Sequence, residues 1–179
     1  PHGSGQVWQL QQHERDQLVL FGAETYLIGG LQHPNVLAVV AVIMGTLPMT
    51  VMTEHMRNGD LKSYLRGCRP SAKSPKETLR AWHLLEIGSQ LASACVYLES
   101  SKVVHRGLMA CNVLVGINHT EIKLSGFGAL REVLRAEEYV QTSATKETDL
   151  DIRWMAPECF TDNSFSVKSD VWSFAVLLW

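Results

Sequence analysis

Val104-His105-Arg106-Gly107-Leu108-Met109-Ala110-Cys111-Asn112 decides how the rest of this chain is read. It sits between the strongest helical pattern of the sequence and a pair of short strand candidates. Upstream, Leu79 to Ser100 carries Leu84, Ile87, Leu91, Cys95 and Leu98 at spacings of three and four, which predicts one buried helix face. Downstream, Asn112 to Val115 and Glu121 to Leu124 read as strands joined by a turn at Gly116 to Thr120. Farther on, a polar segment runs from Arg131 to Asp151, and an apolar helix begins at Ser169 and reaches Trp179. Toward the N-terminus, Val36 to Met44 and Met49 to Thr53 are β-branched or apolar runs separated by Gly45-Thr46-Leu47-Pro48, a hairpin-like break. Gln6 to Leu10 is a further short strand. Asp16 to Leu31 reads as a helix, although Gly22, Gly29 and Gly30 each weaken it by about 1 kcal/mol relative to Ala. Asn58-Gly59-Asp60 offers a turn and an N-cap for a helix over Leu61 to Arg66, and Gly67 to Lys76, with two prolines, reads as a loop. A small β-rich part, a hinge and a helical part in that order predict an α+β fold of two lobes with a ligand-sized cleft between them.

The bulk properties exclude several classes. A chain of 179 residues suffices for one domain with a sizeable core. With a formal net charge of −2, neither a basic patch for nucleic acid nor an acidic solvating tail is expected. The longest apolar run, Val36 to Met44, is nine residues, and crossing a bilayer takes roughly 20. Pro1 to Gly5 has neither the basic nor the apolar region of a signal peptide. Cys68, Cys95, Cys111 and Cys159 show no C-x-x-C spacing, so a zinc site or disulfide framework is not expected and a reducing compartment fits. The seven histidines are dispersed without metal-ligand spacing, and no metal site is expected.

Several segments in fixed order resemble the subdomains of protein kinases, in the wording of the tyrosine-kinase group. The opening stretch resembles the catalytic loop H-R-D-L-x-x-x-N. Fourteen residues after Asn112 comes Gly126-Phe127-Gly128, which resembles the Asp-Phe-Gly magnesium motif. Arg153-Trp154-Met155-Ala156-Pro157-Glu158 is similar to the end of an activation segment, and Ser169 to Phe174 to the start of the buried central helix. Glu24 lies nine residues before His33-Pro34-Asn35, as the helix-C glutamate does in the family. Thr53-Glu54-His55-Met56 resembles gatekeeper and hinge, and Gly59 to Arg66 is similar to receptor tyrosine kinases of the insulin-receptor type. The resemblance covers essentially the whole chain. It implies a two-lobed kinase-like fold truncated at both ends: residues 1–53 a partial small lobe with helix C, 54–60 the hinge, and 61–179 a partial, larger helical lobe.

Against that resemblance, the charged groups of phosphoryl transfer are missing. The reaction is driven by positioning and by electrostatic stabilisation of phosphates and Mg²⁺. Leu10 stands at the position of the strand lysine, and no lysine occurs before Lys62. Gly107 stands at the position of the catalytic aspartate, a base that typically contributes 10²–10⁴-fold in rate. Gly126 stands at the position of the magnesium aspartate. Asn112 remains from the family's magnesium ligands, and a lone neutral amide holds this hard cation poorly. The implied expectation is no required cofactor, at most weak ATP binding through Thr53, Glu54, Met56 and Asn112, and no bound Mg²⁺.

The remaining family positions read as architecture or regulation. Asp170, His105, Phe127, Glu158 and Glu24 match structural positions, with Glu24 deprived of its lysine. Tyr139, after Glu137-Glu138, matches an activation-loop tyrosine that another kinase would phosphorylate, and Arg106 could meet such a phosphate bidentately. The leading expectation is a pseudokinase, a non-catalytic signalling module that binds another kinase or a scaffold. It would be cytoplasmic, either free or as the inner region of a membrane receptor, without binding nucleic acid. The rival expectation is an active protein tyrosine kinase using ATP, with a nucleotide-binding domain lacking transfer between the two.

Overall fold

The computed structural model describes residues 28–43, 50–70, 78–117, 120–126, 131–132, 138–140 and 152–179, with 131–132 and 138–140 defined by backbone alone. Of the helix expected over Asp16 to Leu31, only residues 28–31 fall among them, helical at 28–30 and ended before Leu31. β1 (Val39–Ile43) and β2 (Thr50–Thr53) form an antiparallel ladder from Val39↔Thr53 to Ile43↔Thr50. The apolar run expected to be a strand from Val36 enters the ladder only at Val39. Val36 forms a parallel bridge to Leu124 instead, with Leu37 N–H donating to the Leu124 carbonyl at 2.9 Å and Leu124 N–H to the Asn35 carbonyl at 2.8 Å. Those bonds hold the chain before β1 against the larger half of the molecule.

The helix α1 (Leu61–Gly67) starts where Asp60, in extended backbone, accepts the Ser63 N–H at 2.9 Å and so satisfies one free amide of the first turn. The long helix α2 (Ala81–Ser100) buries His83, Ile87, Leu91, Ala94 and Leu98. The expected face shared Ile87, Leu91 and Leu98 but placed Leu84 inside, and Leu84 is 50% exposed. The reason lies at the helix start: His83 Nδ1 turns back to accept the Arg80 N–H at 2.8 Å, which sets position 83 toward the core.

Next come β3 (Val103–Val104), a 3₁₀ turn at Ala110–Asn112, β4 (Val113–Val115) and β5 (Ile122–Leu124). Asn112, expected at the head of a strand, belongs to the turn, because its N–H donates to the Met109 carbonyl at 2.9 Å. Within the polar segment lie β6 (Arg131–Glu132), paired with β3, and β7 (Glu138–Val140). α3 (Pro157–Thr161) carries proline in its first turn, where a missing N–H costs no intrahelical bond. β8 (Ser164–Ser166) pairs with β7.

The last helix, α4 (Val167–Leu178), begins two residues before the expected Ser169. Ser166 Oγ accepts the Lys168 and Ser169 N–H groups, and Ser169 Oγ accepts the Ser166 N–H at 3.0 Å, a reciprocal cap. Among the described residues the strands pair as four antiparallel two-stranded ladders, so the fold is α+β. One core runs through it, joining Ile28, Leu31 and Leu37 to Leu61, Leu91, Val113 and Leu124. A smaller cluster of Val104, Ala156, Cys159 and Phe165 lies beside it. No described helix is long and apolar enough to cross a membrane.

Candidate functional site

The loop from His105 to Asn112 is held from below. Asp170, in the first turn of α4, accepts the His105 N–H at 2.6 Å and the Arg106 N–H at 2.9 Å. Burial pushes its carboxyl up to about 6, against the two amide bonds and the Arg106 charge, which favour the ionised form. His105 is wholly buried. Its Nδ1 accepts the Gly107 N–H at 3.1 Å, which leaves the ring proton on Nε2 to be donated to the Ser125 carbonyl at 2.8 Å. Burial drives this imidazole down to about 4, so it is neutral at ordinary pH. Arg106 adopts a left-handed φ of +65°, and its guanidinium carbon lies 4.2 Å from the centre of the Phe165 ring.

Asn112 closes the loop on itself. Its Nδ2 donates to the Gly107 carbonyl at 2.8 Å, and its own carbonyl accepts both the N–H and the Oγ–H of Ser125. Gly126 follows with φ +87°. A Cβ on Gly126 would come within 2.5 Å of Asn112 Cγ, and one on Gly107 within 3.1 Å of Asn112 Nδ2. The Asn112 amide thus lies between the two glycines, against the directions in which side chains there would project.

At the junction of β2 and α1, Thr53 is buried and pairs with Val39. The Glu54 N–H donates to the Ala38 carbonyl at 3.0 Å, and Glu54 Oε1 accepts the Ala38 N–H at 2.7 Å and pairs with Lys123 Nζ at 2.8 Å. The Met56 side chain is buried, and its N–H bonds to no partner among the described residues.

The sequence matches the family described as "Protein tyrosine and serine/threonine kinase" over residues 7–179. The chain belongs to this kinase family. It is 38% identical to tyrosine-protein kinase ABL2 of Homo sapiens over 159 residues, covering 89% of this chain and 12% of that protein. It is 37% identical over 187 residues to the proto-oncogene tyrosine-protein kinase ROS of Rattus norvegicus, covering 99% of this chain and 8% of that protein. It is also 34% identical over 161 residues to Protein sevenless of Drosophila virilis, at 87% and 6%. The chain therefore spans from 6% to 12% of the length of these relatives.

Within this kinase domain the structure brings His105, Arg106, Gly107, Asn112, Gly126 and Asp170 into one hydrogen-bonded or contacting group. Thr53, Glu54 and Met56 lie at the β2–α1 junction, apart from that group in the chain. The backbone of Tyr139 lies in β7 opposite Phe165, the residue whose ring carries Arg106. Glu158 stands half-buried in the first turn of α3. Leu10, Glu24 and Phe127 lie outside the described residues.

Sequence reasoning missed two connections. One is the Lys123–Glu54 pair, whose only signal was a lysine set between the buried Ile122 and Leu124. The other is a tether around His33-Pro34-Asn35. Asn35 Nδ2 donates to Gln90 Oε1 and to the Ile122 carbonyl, each at 3.0 Å, and His33 stacks on Tyr97 at 4.9 Å.

Proposed function

We propose that this kinase-family domain is a pseudokinase, a non-catalytic module that signals by binding another kinase or a scaffold protein. The observation that carries the reading is the position of the Asn112 side chain between Gly107 and Gly126. Mg²⁺ is held by carboxylates and phosphates in octahedral geometry. Here the position that would supply the magnesium carboxylate is a glycine, Gly126, and of the family's ligands only the neutral amide of Asn112 remains. These residues do not fit the metal. Leu10 at the lysine position removes the phosphate-holding charge, and Gly107 leaves no base to take up a hydroxyl proton. The hinge residues Thr53, Glu54 and Met56 would support at most weak adenine binding, without phosphate or metal anchorage. The domain would act in the cytoplasm, and its wording near the hinge, similar to receptor tyrosine kinases, is compatible with the inner region of a membrane receptor.

The intact clamp of Asp170 on His105 and Arg106 favours the second reading, an active tyrosine kinase. Transfer of radiolabelled γ-phosphate from ATP to a tyrosine peptide separates the two. The full-length protein is expected to give no transfer above a sample treated with a kinase inhibitor. A rate within the 1–100 s⁻¹ of ordinary kinases would overturn the proposal. Melting with ATP tests the cofactor: any shift should be small and the same with and without Mg²⁺.

A further inference from the structure

The net charge of −2 conceals a segregation of charge along the chain. Residues 57 to 80 hold seven of the 16 lysines and arginines and only two carboxylates, Asp60 and Glu77, an excess of five positive charges. In the structure, Lys62, Arg66 and Arg69 recur at intervals of four and three, one stripe along α1 and its end, and all three are exposed. Arg57 before the helix and Arg80 before α2 are exposed as well. Among the described residues none of these five cations forms a salt bridge; Lys62 acts on the Asp60 carboxylate at the head of α1 only through its nearby charge. Like charges four apart on a helix destabilise it, so Lys62 over Arg66 works against the stability of α1. An ordinary solvated face alternates signs, and α1 itself contains no acidic residue. Next to Arg80, Trp82 and Leu85 stand 54% and 74% exposed at the start of α2.

We infer that the α1 stripe is a docking surface for an acidic segment of a partner protein, which deepens the proposed role as a binding module by naming its partner's chemistry. Arginine supplies four of the five exposed cations, and its planar fork pairs bidentately with carboxylates. A membrane-surface element would instead present a free amphipathic helix, whereas α1 and α2 both commit their apolar faces to the core.

The test uses the full-length protein and a fluorescent oligoglutamate peptide, read by anisotropy, with anionic phosphatidylserine vesicles in a parallel arm. The wild type is expected to bind the peptide at low salt, and affinity should fall as ionic strength rises. Arg66→Glu/Arg69→Glu should weaken binding at least tenfold. Lys102→Glu/Lys168→Glu carries the same change in charge at exposed positions outside 57–80 and should weaken it less than twofold. Circular dichroism of each variant establishes that it is folded. Equal losses in the two double variants would reduce the effect to overall charge and overturn the assignment. So would absence of peptide binding at low salt, or tighter binding to the vesicles than to the peptide. The readout is independent of phosphoryl transfer, so its failure and that of the pseudokinase reading are separable.

Discussion

At Asn112 four hydrogen bonds meet: to Met109, to Gly107 and, through its carbonyl, from both donors of Ser125. Such a residue has little freedom to move aside. Gly126→Asp would combine a side chain at φ +87° with contact on Asn112 Cγ, and is expected to cost about 1–3 kcal/mol by denaturant titration. Adding Asn112→Ala should return part of that loss, a coupling on the order of 0.5–3 kcal/mol in a double-mutant cycle. A neutral Gly126→Asp would mean that Asn112 yields easily. The glycines themselves were legible in the sequence. The obstruction was not, because it depends on the backbone angle at Gly126 and on the direction of a side chain fourteen residues earlier.

His105 and Asp170 oppose one another in acid. The unfolded imidazole takes a proton near its ordinary 6.5, while the buried one resists until about 4. Stability from neutral His105 is therefore present above 6.5 and lost as pH falls toward 4. Asp170 is protonated near 6 in the fold and near 3.8 in the unfolded chain, so acidification through the same window favours the folded state. Each effect is on the order of 3 kcal/mol. Together they should leave the pair's contribution nearly flat between pH 6.5 and 4. Asp170→Asn removes one side, and its Tm is expected to fall with acidification more steeply than that of the wild type. Parallel melting curves for the two proteins would refute the opposition.

Among the elements, helix ends were the places where side-chain chemistry reset the reading. The periodic positions of α2 were sufficient to find Ile87, Leu91 and Leu98, but not to choose between His83 and Leu84, because the choice is made by a histidine bonding backward to Arg80. Asp60 was legible as a cap since a short acid before an apolar run has few other uses. The start of α4 was set by Ser166 and Ser169 acting together, and Ser166→Ala should destabilise the domain by about 1 kcal/mol, seen as a lower denaturation midpoint with an unchanged m-value. The strands β6 and β7 escaped notice because two or three residues of a polar segment carry no periodicity, and their partners β3 and β8 are remote in sequence.

For the whole molecule, the α+β order of elements was readable, while the joining of its parts was not. Residues before β1 share a core with α2, β4 and β5. Leu91, 1% exposed at the centre of that core, should cost about 2–5 kcal/mol when changed to Ala. The loss should appear in a single transition, with circular dichroism and tryptophan fluorescence coinciding. Two separated transitions would show that the parts melt independently. The Glu54 carboxylate bears on the same question, since it grips the Ala38 amide before β1 and the Lys123 ammonium in β5. The carboxylate thus links the segment before β1 to β5, beside the backbone bonds between Leu37 and Leu124. Glu54→Gln would keep a side chain of the same size but remove the charge shared with Lys123, so this seam is where weakening would first let the β1–β2 ladder loosen from the helical body.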